Sequence, residues 1–117
     1  MAEKTIVLLD DDELLRELLH AELEAAGYIV VAAANSADLP QLLEDHNAAL
    51  LISDLVMPDH EGMEGIFAVR QQFNIPIIAI SSYEQYLRVV ESIVTLTLKK
   101  PFTPQQLVQQ VRRLLDS

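Results

Sequence analysis

The sequence has 117 residues, which is the size of one domain and too short for two hydrophobic cores. Half of the residues are apolar and no stretch is compositionally biased, which excludes disordered and fibrous proteins. A formal net charge of −10 would repel a phosphate backbone, so we do not expect direct DNA binding.

The chain shows no sign of export, anchoring or thiol chemistry. It contains no cysteine, which removes disulfides, thiolate nucleophiles and thiolate metal sites. Its apolar runs are all far shorter than the ~20 residues that a membrane-spanning helix requires. We therefore expect a cytoplasmic location without membrane association, because a protein lacking cysteine is compatible with a reducing compartment.

Apolar runs alternate with stretches of helical periodicity along the chain. In chain order, we expect a strand at 5–9, a helix at 13–26, a strand at 28–33, a helix at 36–46, a strand at 49–54, a helix at 63–73, a strand at 75–81, a helix at 83–93, a strand at 95–99 and a helix at 104–115. Asp12 can cap the first helix and Gly27 can end it. Thr103 and Gln106 can form a capping box around Pro104 at the start of the last helix.

This alternation predicts a parallel sheet, because right-handed crossovers place a helix between successive parallel strands. The runs of apolar residues suit strands that are buried on both faces. The expected architecture is a single three-layer α/β domain over residues 1–117.

Polar residues follow four of the five expected strands. They are Asp10, Asp11 and Asp12 after the first strand, Asp54 at the end of the third, Ser81 at the end of the fourth, and Lys99 and Lys100 after the fifth. In open α/β sheets the ligand site lies beyond the carboxyl ends of the strands. We therefore expect these side chains to form one site.

Clustered carboxylates indicate a hard divalent cation. They repel one another and raise one another's pKa, so a cluster of this kind normally needs a cation. Oxygen ligands without cysteine favour Mg²⁺, Ca²⁺ or Mn²⁺, and a few carboxylates with open positions best suit Mg²⁺ completed by water and phosphate.

The same set of residues suits phosphoryl chemistry. A carboxylate beside such a metal can attack phosphorus and give an acyl phosphate, while a lysine neutralises the developing charge. Asp54 and Lys100 could fill these two roles. The Ser81 hydroxyl could bind a phosphoryl oxygen after transfer.

Four segments together resemble the receiver domains of two-component response regulators, in particular the single-domain chemotaxis type. They are 8–12 (Leu-Leu-Asp-Asp-Asp), 53–58 (Ser-Asp-Leu-Val-Met-Pro), 80–82 (Ile-Ser-Ser) and 100–102 (Lys-Pro-Phe). The resemblance covers the whole chain. It implies a flavodoxin-like, doubly wound (βα)5 fold with strand order 2-1-3-4-5.

The resemblance also implies residue roles. Asp54 matches the phosphoacceptor, Ser81 the switch hydroxyl and Lys100 the phosphate-binding lysine, which is typically followed by a cis bond to Pro101. The remaining matches concern Mg²⁺: Asp11 and Asp54 as direct ligands, the backbone carbonyl of Val56 as a third, and Asp10 through water.

By the same resemblance, the phosphoryl donor is a phosphohistidine of a sensor histidine kinase or of a histidine phosphotransfer protein. The implied function is a signalling module rather than an enzyme, with a downstream protein partner that the sequence does not identify. A stand-alone regulator, a phosphorelay intermediate and a fragment of a longer regulator all fit the sequence.

Two features depart from the family pattern. Thr97 stands where receiver domains usually have an aromatic switch residue, so the usual coupling between Ser81 and the output face is not expected. Ile93 and Val94 replace the usual Gly-Ala turn before the fifth strand and make the segment 93–98 apolar. Either a homodimer or partner contact or burial in the core would explain this segment. Val56 and Tyr83 occupy the positions that, in this family, tune how readily water attacks the phosphoryl group. Their apolar and bulky side chains predict slow dephosphorylation.

Other interpretations fit the sequence less well. A pseudo-receiver, which binds partners without phosphorylation, is the main alternative. A haloacid-dehalogenase-like phosphatase would need Thr or Val at Leu14 and a cap insert, and a flavodoxin would need a loop that accepts a flavin phosphate rather than three aspartates. We expect the histidines His20, His46 and His60 to be surface residues.

Overall fold

The sheet has five parallel strands, and the computed structural model describes residues 3–56 and 62–116. The strands are β1 (Thr5–Leu9), β2 (Ile29–Ala33), β3 (Leu50–Asp54), β4 (Ile77–Ser81) and β5 (Leu96–Lys99). Their order in the sheet is β2-β1-β3-β4-β5. Every neighbouring pair is parallel, which confirms the predicted order 2-1-3-4-5.

Within the described residues, five helices alternate with the strands and cover both faces of the sheet. They are α1 (Glu13–Ala25), α2 (Leu39–Asp45), α3 (Gly62–Gln72), α4 (Glu84–Val90) and α5 (Pro104–Leu115). Buried residues of α2, α3 and α4 share one core cluster, whereas buried residues of α1 and α5 share the other. The three-layer, flavodoxin-like α/β architecture is confirmed.

The central strands are apolar on both faces because each face meets a helical layer. Along β1, Val7 and Leu9 belong to the cluster under α2, α3 and α4. Ile6 and Leu8 belong to the cluster under α1 and α5. Successive strand side chains point to opposite faces, so one continuous apolar run supplies both cores.

The predicted caps are present at α1 and α5. The Asp12 carboxylate accepts a hydrogen bond from the Leu15 N–H. Thr103 and Gln106 form the reciprocal capping box, with proline in the first turn of α5. Gly27, which follows the end of α1, has φ of 104°, a conformation that disfavours residues with a side chain. The Lys100–Pro101 peptide bond is cis, as the resemblance implied.

Three elements are shorter than predicted by two residues or more. Strand β4 begins at Ile77 rather than at residue 75. Helix α2 begins at Leu39 rather than at residue 36, where the carbonyl of Ser36 accepts a turn hydrogen bond from the Leu39 N–H. Helix α4 ends at Val90, and residues 91–95 form a turn before β5.

The turn that follows α4 makes a tertiary contact with α3. The carbonyl of Ile93 accepts a hydrogen bond of 2.7 Å from Arg70 Nε on α3, and the Ile93 and Val94 N–H groups both bond to the Val90 carbonyl. Ile93 and Val94 also pack against the core cluster under α3 and α4. These two residues are thus partly buried against the core, while a homodimer or partner contact stays a prediction.

No helix within residues 3–56 and 62–116 is long and apolar enough to cross a membrane. The loop predicted at 55–62 lies mostly outside the described residues, since its residues 57–61 are not described.

Candidate functional site at the carboxyl ends of the strands

The sheet brings the predicted site residues to one edge. Asp54 and Ser81 are the last residues of β3 and β4, and Asp10 and Lys100 directly follow β1 and β5. These four strands are consecutive neighbours in the sheet. Parallel strands end at the same edge, so residues separated by up to 90 positions in the chain become neighbours.

Three carboxylates lie close together at this edge. Asp10, Asp11 and Asp54 each offer one oxygen, and these oxygens all lie within 4.8 Å of one another. Asp10 is fully buried and Asp54 is 6% exposed, whereas Asp11 is exposed to solvent. The group is therefore open to solvent on the side of Asp11 and enclosed elsewhere, which allows a cation to keep some of its water.

Asp10 is a buried carboxylate with incomplete hydrogen bonding. Its Oδ1 accepts a hydrogen bond of 2.9 Å from the Asp12 N–H. Its Oδ2 lies 3.1 Å from Lys100 Nζ, yet has no aligned hydrogen-bond partner among the described residues. A buried carboxylate oxygen without a hydrogen bond lowers the stability of the fold, and a water or a cation at the site would provide the missing partner.

The ammonium of Lys100 bridges two of the carboxylates. Its Nζ lies 3.1 Å from Asp10 Oδ2 and hydrogen-bonds to Asp54 Oδ2 at 3.3 Å. Burial lowers the pKa of Lys100, but the charges of Asp10 and Asp54 outweigh it and raise the pKa above its ordinary value. Lys100 therefore carries its positive charge at neutral pH.

Asp54 has a raised pKa, first because it is buried and second because Asp10 is close by. The Lys100 ammonium and the backbone N–H of Val56, which lies 3.4 Å from Asp54 Oδ1, oppose this increase only in part. The cluster thus has three carboxylates, and the Lys100 ammonium contacts two of them. The deficit of positive charge and the purely oxygen donor set both fit a hard divalent cation such as Mg²⁺.

Ser81 is buried and already oriented by the backbone of the next loop. Its Oγ accepts a hydrogen bond of 3.0 Å from the Tyr83 N–H, and its carbonyl accepts one of 2.9 Å from the Lys100 N–H. A hydroxyl has one proton to donate besides the lone pairs that accept. The Tyr83 contact leaves that proton free for an anionic oxygen.

Arg16 also belongs to this region, although the motifs at the strand ends did not indicate it. Its Nη1 donates a hydrogen bond of 2.7 Å to the backbone carbonyl of Asp10. A signal was present, because Arg16 stands four residues after the Asp12 cap and helical side chains lean toward the N-terminus. The contact itself depends on the turn between β1 and α1.

Thr97 and two of the three histidines lie within the described residues. Thr97 is half-buried in β5, opposite Ala79 of β4. His20 is partly exposed with Nε2 3.3 Å from Glu24, and His46 is exposed, which supports surface positions for these two histidines. His60 lies outside the described residues.

Comparisons with known sequences identify the family. Residues 6–112 match the family model of the response regulator receiver domain. The chain is 34% identical over 118 residues to the transcriptional regulatory protein GltR of Pseudomonas aeruginosa, covering 96% of this chain and 49% of that protein. It is also 34% identical over 119 residues to an uncharacterized 14.6 kDa protein of Leptolyngbya boryana, covering 97% of this chain and 91% of that protein.

Solved structures agree with this assignment. The chemotaxis protein CheY4 of Vibrio cholerae has a TM-score of 0.85 and 29% identity, with 97% of this chain and 100% of that chain covered. The response regulator TrrA of Thermotoga maritima, solved in complex with Mg²⁺ and BeF, has a TM-score of 0.85 and 30% identity, covering 96% and 99%.

The fold, the acidic strand-end site and these matches define a signalling module of the two-component type. The chain belongs to the response regulator receiver domain family. It spans about half the length of GltR and of several other relatives named as transcriptional regulators. The absence of direct DNA binding therefore stays a prediction for the chain itself.

Proposed function

We propose that this chain accepts a phosphoryl group on Asp54 from a phosphohistidine of a sensor histidine kinase or histidine phosphotransfer protein, and that the transfer changes its binding to a downstream protein. One observation carries the proposal. Asp54 is the nearly buried member of a carboxylate cluster that also contacts the Lys100 ammonium. Residues 1–117 act as one receiver domain in this proposal.

The transfer step needs no reactant besides Asp54, the donor phosphohistidine and solvent. A carboxylate oxygen of Asp54 attacks phosphorus and forms a P–O bond, while the P–N bond to the donor imidazole breaks. The leaving nitrogen keeps the electron pair of that bond and is then protonated by solvent. The product is an acyl phosphate on Asp54 and a neutral histidine on the donor.

Lys100 and Ser81 have separate roles in this step. Lys100, already charged and next to Asp54, binds an oxygen of the transferred group and compensates its negative charge. Ser81 donates its free hydroxyl proton to another phosphoryl oxygen. These tasks are proposals that rest on placement at adjacent strand ends.

The Mg²⁺ requirement rests on the fit of the donor set. Asp11 and Asp54 would bind the ion directly together with the Val56 carbonyl, and Asp10 would bind through water. When bound, Mg²⁺ would offset the charge of the phosphoryl group and of the carboxylates. The response regulator TrrA, solved in complex with Mg²⁺ and BeF, supports this assignment by analogy.

The proposal is tested by intact mass after incubation with acetyl phosphate and Mg²⁺. The wild type should gain one phosphoryl group, and chelation of Mg²⁺ should abolish the gain. Asp54→Asn should gain none, whereas Asp45→Asn, which removes an exposed carboxylate of α2, should react like the wild type. A folded wild type that binds Mg²⁺ but never gains the group would refute the proposal.

That refuting outcome would favour a second candidate function, a pseudo-receiver that binds partners without phosphorylation. The observation in its favour is Thr97, whose small side chain in β5 cannot act as the usual aromatic switch. In this case the folded domain would bind its partner equally well with and without acetyl phosphate.

A further inference from the structure

The turn that carries Asp11 is held on both sides, although the Asp11 carboxylate takes part in none of the hydrogen bonds found among the described residues. On one side, the Asp10 N–H donates to the Ala33 carbonyl at 3.2 Å, and the Asp10 carbonyl accepts from Arg16 Nη1 at 2.7 Å. On the other side, the Asp12 N–H is bonded to Asp10 Oδ1 at 2.9 Å. The direction of the Asp11 side chain therefore depends on its backbone.

Arg16 is positioned for this contact by α1. Its own N–H bonds to the Asp12 carbonyl at 2.9 Å, which places it one helical turn beyond the cap. Helical side chains lean toward the N-terminus, so the guanidinium reaches back past Asp12 to the end of β1. Arg16 is half-buried there, and its guanidinium is a planar cation with five N–H donors.

The contact with the Asp10 carbonyl constrains Asp11 through a rigid unit. The carbonyl of Asp10 and the amide nitrogen and Cα of Asp11 belong to one planar peptide group. A donor that fixes the carbonyl oxygen therefore fixes the plane from which the Asp11 side chain departs. Without that donor, the plane could rotate and the exposed carboxylate would sample other directions.

We infer that Arg16 is a positioning residue for divalent-cation binding, which acts by holding the Asp10–Asp11 peptide so that the Asp11 carboxylate points at the site. This inference rests on the proposed binding of Mg²⁺ by Asp11 and Asp54. A positively charged side chain, Arg16, would then strengthen the binding of a positively charged ion, Mg²⁺.

The direction in which the Mg²⁺ affinity changes when Arg16 is removed therefore distinguishes a positioning role from a pure charge effect. If Arg16 acted only through its charge, it would repel Mg²⁺, and its removal would tighten binding. If Arg16 holds the peptide, its removal weakens binding in spite of the lost repulsion. Groups that orient metal ligands typically change metal affinity by about 10–100-fold, which exceeds the screened charge effect of one side chain near the surface.

The test compares the Mg²⁺ affinity of Arg16→Met, Arg16→Lys and Arg88→Met with that of the wild type by calorimetric titration at constant ionic strength. Met keeps the apolar stem and a high helix propensity, so α1 should form in the variant. Arg88, on the exposed side of α4 in a pair with Glu84, provides the control with the same change in net charge. Circular dichroism monitors folding throughout.

We expect about tenfold weaker Mg²⁺ binding for Arg16→Met, a smaller loss for Arg16→Lys, which keeps a charged donor group, and no change for Arg88→Met. An Arg16→Met variant that is folded and binds Mg²⁺ as tightly as the wild type, or more tightly, would overturn the inference and leave the proposed function intact. A wild type that binds no Mg²⁺ would overturn both. If Arg16→Met does not fold, Arg16→Lys decides, and wild-type affinity or tighter would refute the positioning role.

Discussion

The Lys100 ammonium hydrogen-bonds to Asp54 at 3.3 Å, so the cation after the edge strand β5 reaches the carboxylate at the end of the central strand β3. The two residues are 46 positions apart in the chain and meet across β4. The same Nζ lies 3.1 Å from Asp10 Oδ2. Lys100 is therefore the cation that offsets the carboxylate cluster before any metal binds, and its removal has consequences for stability as well as for chemistry.

Lys100→Met should destabilise the protein in the absence of Mg²⁺. The substitution leaves Asp10 fully buried and without its charged neighbour. Breaking a buried ion pair costs about 3–5 kcal/mol, and we expect about 2–3 kcal/mol here because the Lys100 side chain is partly exposed to solvent. Urea denaturation of the two proteins measures the difference in free energy of unfolding.

The control for this prediction is Lys99→Met, which removes the neighbouring exposed lysine. Its free energy of unfolding should differ little from that of the wild type. Saturating Mg²⁺ should restore part of the loss in Lys100→Met, since a cation would again face Asp10. Equal stability of Lys100→Met and wild type in chelator would contradict the prediction.

Asp54→Asn should stabilise the metal-free protein at neutral pH. Burial and the charge of Asp10 raise the pKa of Asp54 in the folded state above the ordinary value of 3.8, so ionisation of this group opposes folding. The cost is fully present above the folded pKa. It shrinks as the pH falls from the folded pKa toward 3.8, and it is absent below 3.8, where both states are protonated.

The measurement is denaturant unfolding of wild type and Asp54→Asn in chelator across this pH range. The stability advantage of the variant should be largest at neutral pH and decrease steadily toward acid pH. Asp45→Asn, which changes an exposed carboxylate outside the site, should show no comparable trend. An advantage that grows as the pH falls would have the wrong sign for a raised pKa.

Mg²⁺ should stabilise the folded chain through the cluster of Asp10, Asp11 and Asp54. At a concentration about 100 times its Kd, a ligand that binds only the folded state raises the free energy of unfolding by about 2.7 kcal/mol. Thermal unfolding with and without Mg²⁺ should show the increase in the wild type, and Asp11→Asn should abolish most of it.

Asp12→Asn is the matched control for Asp11→Asn. It removes one carboxylate from the adjacent position, and asparagine can still cap α1 by accepting the Leu15 N–H. This variant should keep most of the stabilisation by Mg²⁺. If the two variants lose the effect to the same degree, the cation responds to general charge rather than to the Asp11 carboxylate.

Arg70→Met should lower stability without touching the acidic site. Arg70 donates to three backbone carbonyls: Ile93 at 2.7 Å, Ile75 at 2.9 Å and Phe73 at 3.2 Å. These bonds join α3 to the turns before β4 and β5, and hydrogen bonds from charged donors contribute about 1.5–3 kcal/mol. We expect a loss of about 2 kcal/mol in urea denaturation.

Arg88→Met again supplies the control, since the exposed Arg88–Glu84 pair of 3.6 Å should contribute less than about 1 kcal/mol. Hydrogen exchange should show the local origin of the effect, with faster exchange of the Ile93 and Val94 amides in Arg70→Met. A loss no larger than that of Arg88→Met would mean that the three carbonyls are equally well satisfied by water.

The periodicity of the sequence was sufficient to predict the order and type of all ten elements. The strands are continuous apolar runs, and their number and spacing led to the parallel sheet because crossover rules leave few alternatives. The polar residues at the strand ends then defined the site, since the sheet must bring Asp10, Asp54, Ser81 and Lys100 to one edge. The Asp12 cap and the capping box at Thr103 are local patterns, and they were predicted correctly.

Only the tertiary structure decided the features that depend on contacts between distant segments. Arg70, which is 23 positions earlier in the chain, donates to the Ile93 carbonyl in the turn that follows the end of α4 at Val90. The role of Arg16 depends on how closely α1 approaches the end of β1, and the pairing of Lys100 with both Asp10 and Asp54 depends on the twist and spacing of four strands. Periodicity reports which face of an element is buried, whereas hydrogen-bond partners are set by the positions of whole elements relative to one another. The sequence by itself therefore determined which residues meet at this edge of the sheet, and the packing of the helices on the sheet determined which atoms bind one another there.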